Sequence, residues 1–198
     1  MNNIRKLFEE SVNVKNNILK ANLLDILSAM GDELIDVIQE GNKIMLCGNG
    51  GSAADAQHLA AEMLIRLRPN NNRNGIPAIA LAQDTSTLTA CGNDFGYDAI
   101  YERMVTSLGR KGDCLIGIST SGNSENIIRA MKSSKKMGIK VFGFLGNGGG
   151  NALEFCDKSF IVPSNNTGRI QEAHITAGHA LMEYIEDNLL ESGYIKLL

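Results

Sequence analysis

From residue 4 to about residue 29, Leu7, Phe8, Val12, Val14, Ile18, Leu19, Leu23, Leu24 and Leu27 recur at helical spacing between polar residues. Gly31 and Gly41 bracket a second helical stretch, residues 32–40. The pattern predicts an N-terminal helical hairpin. It carries more apolar side chains than a solvated hairpin needs, so it must cover another surface, in its own domain or on another subunit. Beyond residue 42 the rhythm changes. Short apolar runs lie at 43–47, 76–82, 113–119, 139–145 and 158–162. Helices are expected from Ser52, from about Ser124, and from about Gly168 to Asn188. Short apolar strands alternating with helices predict an α/β fold, a mainly parallel sheet covered on both faces. In such sheets ligands bind beyond the carboxyl ends of the strands. The first, third and fifth runs end there in the loops CGNGGS, STSGNS and PSNNTGRIQE, while residues 68–75 (RPNNNRNG) read as a polar surface loop.

Composition narrows the partners. A chain of 198 residues with 43% hydrophobic and 21% charged residues has the make-up of a globular protein long enough to bury a core. It reads as one domain, 1–198, with no internal repeat. The formal net charge is −3, so there is no basic surplus to attract nucleic acid or an anionic membrane. No apolar run approaches the roughly 18 residues of a membrane span. No secretory leader is visible, and a cytoplasmic protein is expected. The four cysteines, Cys47, Cys91, Cys114 and Cys156, are widely spaced and are expected to be reduced and packed as small hydrophobes.

Three segments suggest chemistry. STSGNS, 119–124, places three kinds of hydrogen-bonding group between a strand and a helix. Hydroxyls, backbone N–H groups and the positive end of a helix together make an anion site. No G-K-[ST] follows, so triphosphate hydrolysis is not indicated. Helix capping alone would need only one such side chain. CGNGGS lacks the full dinucleotide fingerprint, and no acidic ribose ligand stands near the second strand. A sugar hydroxyl or phosphate held by Asn49, Gly50, Gly51 and Ser52 is at least as consistent. On the helix that follows, His58 and Glu62 lie about 40° apart, close enough to share a metal or a proton. The last helix carries Gln171, His174 and His179. Gln171 and His179 are about 80° apart, and His174 about 140° from His179, so the three do not face one site.

CGNGGSAADAQH, GNDFGYD, GISTSGNS and RIQEAH, with His179 after them, occur here in an order that resembles the sugar isomerase (SIS) domain family, and within it the isomerases of heptose 7-phosphates. The resemblance covers nearly the whole chain. It implies a flavodoxin-like five-stranded parallel sheet, with residues 1–41 joining a subunit interface and 42–198 forming the α/β core. It also implies a homotetramer with sites between subunits, and conversion of D-sedoheptulose 7-phosphate to D-glycero-D-manno-heptose 7-phosphate for bacterial heptose biosynthesis. Carried over by motif, Ser119, Thr120, Ser121 and Ser124 form the phosphate loop. Asn49, Gly50, Gly51, Ser52, Glu62, Arg66, Asn93, Asp94 and Gln171 contact substrate. His58, Glu62, Gln171 and His179 hold one zinc per subunit, and Glu62 and His179 are the acid–base pair. The chain departs from the family pattern at Leu64-Ile65, where small residues are usual, and at Gly168 before RIQE. Two other readings stay open: a non-catalytic SIS binding protein of the replication-initiator-associating type, and an isomerase of a different phosphosugar.

Overall fold

The computed structural model describes residues 3–81 and 84–198. In chain order the elements are α1 (Asn3–Lys20), α2 (Leu23–Gln39), β1 (Ile44–Gly48), α3 (Gly51–Leu64), β2 (Ala78–Ala80), α4 (Thr85–Phe95), α5 (Ile100–Leu108), β3 (Cys114–Ser119), α6 (Glu125–Lys136), β4 (Lys140–Gly146), β5 (Lys158–Val162) and α7 (Thr167–Glu191). Tighter 3₁₀ stretches occupy Tyr97–Ala99 and Asn147–Phe155. The strands pair in parallel throughout, in the order β2-β1-β3-β4-β5.

The continuous apolar strands follow from burial on both faces. Ile44 and Leu46 of β1, Ile116 and Ile118 of β3, and Phe142 and Phe144 of β4 join one core with α2, α3 and α7. Their alternating neighbours Met45, Cys47, Leu115, Val141 and Leu145 join a second core with α5 and α6. All residues of β1 and β3 are buried, so neither strand shows the polar alternation of a half-exposed sheet. None of the four cysteines is in a disulfide, and burial pushes the Cys47 thiol up to about 12. No helix among the described residues is long and apolar enough to cross a membrane.

The structure differs from the sequence reading in four places. The hairpin breaks at residues 21–22, and Gly31 lies inside α2 rather than before it. A Cβ at Gly31 would come within 2.5 Å of Tyr184 Cδ1 on α7, so this glycine serves close packing of two helices, not a turn. The second apolar run shortens to three paired residues, and its last residue, Ala82, lies outside the described residues. Two helices, α4 and α5, fill the crossover from β2 to β3 where no element was expected. The α4 sequence, TSTLTACGNDF, buries only Cys91 and so carries little periodic signal. Asp84 caps it by accepting a hydrogen bond from Thr87 N at 2.7 Å. Finally, Arg73 in the polar 68–75 loop is 4% exposed.

The strand order places the ligand cleft. The chain leaves β1 toward β2 on one side, and leaves β3 toward β4 on the other. The loops after these two neighbouring strands therefore diverge and open a crevice, the usual ligand position in such sheets.

Candidate active site at the sheet switch point

One wall of the crevice is the turn from β3 into α6. Gly122 has φ +65°, and a Cβ there would sit 1.9 Å from Gly149 O, so only glycine fits. The glycine-rich segment after β4 thus backs the turn, with Ala152 N donating to Gly122 O at 2.8 Å. Ser119 is buried, and its Oγ accepts from Gly122 N at 3.1 Å. Ser121 is exposed, while Thr120 and Ser124 are half-buried. Ser124 stands at the N-cap of α6 without a side-chain capping bond. A ring of hydroxyls at a helix N-terminus can hold an anion.

The turn from β1 into α3 forms the other wall. Asn49 and Asn126 exchange amide hydrogen bonds, each 2.8 Å, and Tyr97 OH donates to Asn49 Oδ1 at 2.8 Å. The Asn49 side chain is therefore a strut joining this wall to the first turn of α6. Gly50 and Gly51 are exposed. Ser52, expected at the sugar, is only 4% exposed: the first turn of α3 packs back onto Gly48 and takes it out of the crevice. The Gln171 amide rests over Gly51, 2.7 Å from where a Cβ would be. Asn93 and Asp94 lie exposed at the end of α4, the first donating to the second at 2.7 Å. Arg66 is exposed just beyond α3, its Nη1 donating to Pro69 O at 3.1 Å.

The third part is a cluster between α3 and α7. His58 Nε2 is 2.8 Å from His179 Nε2 and 3.4 Å from Glu62 Oε1. One ligand atom from each of the three residues lies within 4.8 Å of the others. Gly178 makes this meeting possible, since a Cβ there would fall 2.7 Å from the Leu59 methyls. The missing side chain lets α7 approach α3 one residue before His179. Glu62 Oε2 is buried and without a hydrogen-bond partner, and a group left in that state usually marks an absent ligand. Two imidazole nitrogens and one carboxylate oxygen with a position left over suit a zinc-sized cation, whose bonds of about 2.0–2.2 Å set ligands a little over 3 Å apart.

Gln171 is not gathered with these three in one chain. Its amide sits at Gly51, seven residues and about 10 Å of helix before His58. His174 is turned into the core, where its Nε2–H donates to Leu145 O at 3.0 Å beside Phe144. Asp55 was not foreseen. Burial pushes its carboxyl above the ordinary range, against the pull of His58 and His179, so it belongs to the electrostatics of the cluster. The signal was readable: Asp55 precedes Glu62 by seven residues and shares its helix face to within about 20°. Asn126 and Tyr97 carried no such signal.

The sheet order and the anion turn at its switch point define the fold of a SIS-domain protein, and the SIS domain family matches residues 7–146. A phosphoheptose isomerase of Aliarcobacter butzleri is 53% identical over 155 residues, spanning 78% of this chain and 81% of the relative. One of Clostridium acetobutylicum is 47% identical over 95% of both chains. The solved structure of phosphoheptose isomerase GmhA from Neisseria gonorrhoeae superposes with a TM-score of 0.87 at 39% identity, over 93% of this chain and 97% of that one. The chain belongs to the phosphoheptose isomerase family, a family of enzymes.

Proposed function

We propose that this chain interconverts D-sedoheptulose 7-phosphate and D-glycero-D-manno-heptose 7-phosphate, supplying heptose for a bacterial glycan. The observation that carries the reading is the meeting of His58, Glu62 and His179 in a chain that also has a hydroxyl-lined turn at the N-terminus of α6. The phosphate would rest on Thr120, Ser121 and Ser124 and on the α6 N-terminus, with Ser119 holding the turn. Gly50, Gly51 and Gln171 would line the sugar, with Asn93, Asp94 and Arg66 at its edges.

The reaction moves protons and leaves the overall oxidation state unchanged. A base takes a proton from C1 of the open-chain ketose while the C2 carbonyl oxygen gains one, giving an enediol. Loss of the O1 proton and return of a proton to C2 gives the aldose. Glu62 is the base: Oε1 faces His58, and Oε2 has no partner of its own. His179 carries protons to and from the oxygens in the part of the cycle when its ring nitrogen is off the metal, because a metal-bound imidazole nitrogen has no lone pair for a proton. His58, Glu62 and His179 would hold zinc, which would polarise the substrate carbonyl. Gln171 joins that set only by leaving Gly51 or from another subunit.

A cytoplasmic homotetramer of one-domain subunits completes the reading. Its support is α1, where Phe8 is 72%, Val12 56% and Leu19 63% exposed. A helix with that apolar face is suited to covering by another subunit. Light scattering at micromolar concentration would test assembly, and a stable monomer would refute it. The decisive experiment for function is NMR of sedoheptulose 7-phosphate incubated with purified protein, with and without chelator. Appearance of the aldose signal supports the assignment; an unchanged ketose spectrum with zinc-loaded protein refutes it.

A further inference from the structure

The 68–75 loop reads as solvated, yet Arg73 is sealed beneath the cluster, with its side chain and that of Glu186 each 1% exposed. Its Nε donates to Glu186 Oε2 at 2.5 Å. Its Nη2 donates to the backbone oxygen of Glu62 at 2.9 Å, and its Nη1 to those of Met63 and Asn74, also at 2.9 Å. The Glu62 and Met63 carbonyls belong to the last turn of α3, where the helix supplies no partner of its own. Glu186 Oε1 accepts from Arg68 Nε and Asn71 Nδ2, each at 2.8 Å. Burial pushes the Glu186 carboxyl up, but hydrogen bonds from Arg73, Asn71 and Arg68 outweigh it and hold the group below its usual range.

One guanidinium therefore grips two helices at informative places. On α3 it holds the backbone of the residue whose carboxylate enters the cluster. On α7 it holds Glu186, seven residues after His179 and within about 20° of the same face. A buried ion pair brings little net stability, because desolvation offsets the attraction. What the forked guanidinium adds is geometry: several hydrogen bonds are satisfied together at only one helix separation and one axial register.

We propose that Arg73 and Glu186 are positioning residues for the isomerisation, locking α3 against α7 so that His58 and Glu62 meet His179. The proposal rests on the reading of that cluster as the reaction centre. Arg73→Lys keeps the charge but loses the fork. Arg73→Met with Glu186→Met removes both charges, so that neither is left buried alone, and serves if the single variant fails to fold. Each is compared with wild type for kcat and KM on sedoheptulose 7-phosphate, for zinc binding to the metal-free protein by calorimetry, and for thermal melting.

In the folded variants kcat is expected to fall about tenfold or more, as small displacements of reacting groups do, with KM nearly unchanged because the phosphate turn is untouched. Zinc affinity should fall about tenfold or more. Wild-type kcat and zinc affinity in a folded variant overturn the proposal, whatever happens to the melting temperature. An inactive wild type whose zinc affinity still depends on Arg73 would instead sink the isomerase reading and leave the positioning role standing.

Discussion

Acidification from about pH 7.5 to about pH 4.5 is expected to destabilise this fold in good part through one side chain, His174. It is 1% exposed, its Nε2–H is held by Leu145 O, and its Nδ1 has no partner among the described residues. Burial lowers its pKa from 6.5 to about 4, against the opposing hydrogen bond to Leu145. The folded pKa lies below the unfolded one, so the unfolded chain binds the extra proton first as pH falls. The contribution to stability is complete above about pH 6.5 and is lost progressively toward pH 4. With those two pKa values the loss reaches about 2.5 kcal/mol at pH 4.5, at about 1.4 kcal/mol per pH unit. The assay is urea unfolding followed by circular dichroism, on wild type and His174→Gln at both pH values and one protein concentration. A glutamine amide can still donate to Leu145 O but does not titrate, and all other groups are common to the two proteins. Wild type should lose about 2.5 kcal/mol more than the variant. Equal losses would show that His174 is not held neutral by burial.

Three further outcomes are expected. Glu62→Gln should nearly abolish turnover while leaving phosphosugar binding measurable by calorimetry, because it removes a proton acceptor and leaves the phosphate turn intact. Ser121→Ala with Ser124→Ala should weaken phosphosugar binding several-fold or more, since each hydrogen bond to a charged group is worth about 1.5–3 kcal/mol; unchanged affinity in a folded protein refutes the phosphate assignment. Gly178→Ala must displace the Leu59 methyls, which lie 2.7 Å from the new Cβ. It should cost about 1–3 kcal/mol in unfolding experiments and lower kcat by parting His179 from His58, and a wild-type melting curve with wild-type kcat would show that the contact relaxes freely.

β1, β3 and β4 were legible because burial on both faces makes each a short continuous apolar run, and the fifth run matches the edge strand β5, Lys158–Val162, to the residue although only Phe160 and Val162 are buried there. Of the two helices between β2 and β3, α4 was not legible, because it buries so little of its surface that no stripe is written into its residues, whereas α5 buries Ile100, Tyr101 and Val105, a stripe present in the sequence. Gly31 was misread as a break for a related reason. A glycine that ends a helix and one that admits a tyrosine ring look alike until the partner helix is known. In the site, helical spacing was enough to pair His58 with Glu62. It could not show that His179 arrives beside them, since that depends on Leu59 nesting at Gly178 on a distant helix. Nor could it show that Arg73, in a run of asparagines, is drawn inward by the carbonyls at the end of α3 and by Glu186.

The SIS family match ends at residue 146, and α7 begins at Thr167. The anchoring turn and the α3 donors lie inside the matched stretch, whereas His179 and Glu186 lie outside it. Under the proposed assignment the cluster is therefore shared between two distant parts of the chain, His58 and Glu62 on α3 and His179 on α7. If that assignment holds, a substitution at His179 would be expected to cut turnover while the sheet and the turn after β3 stay unaltered.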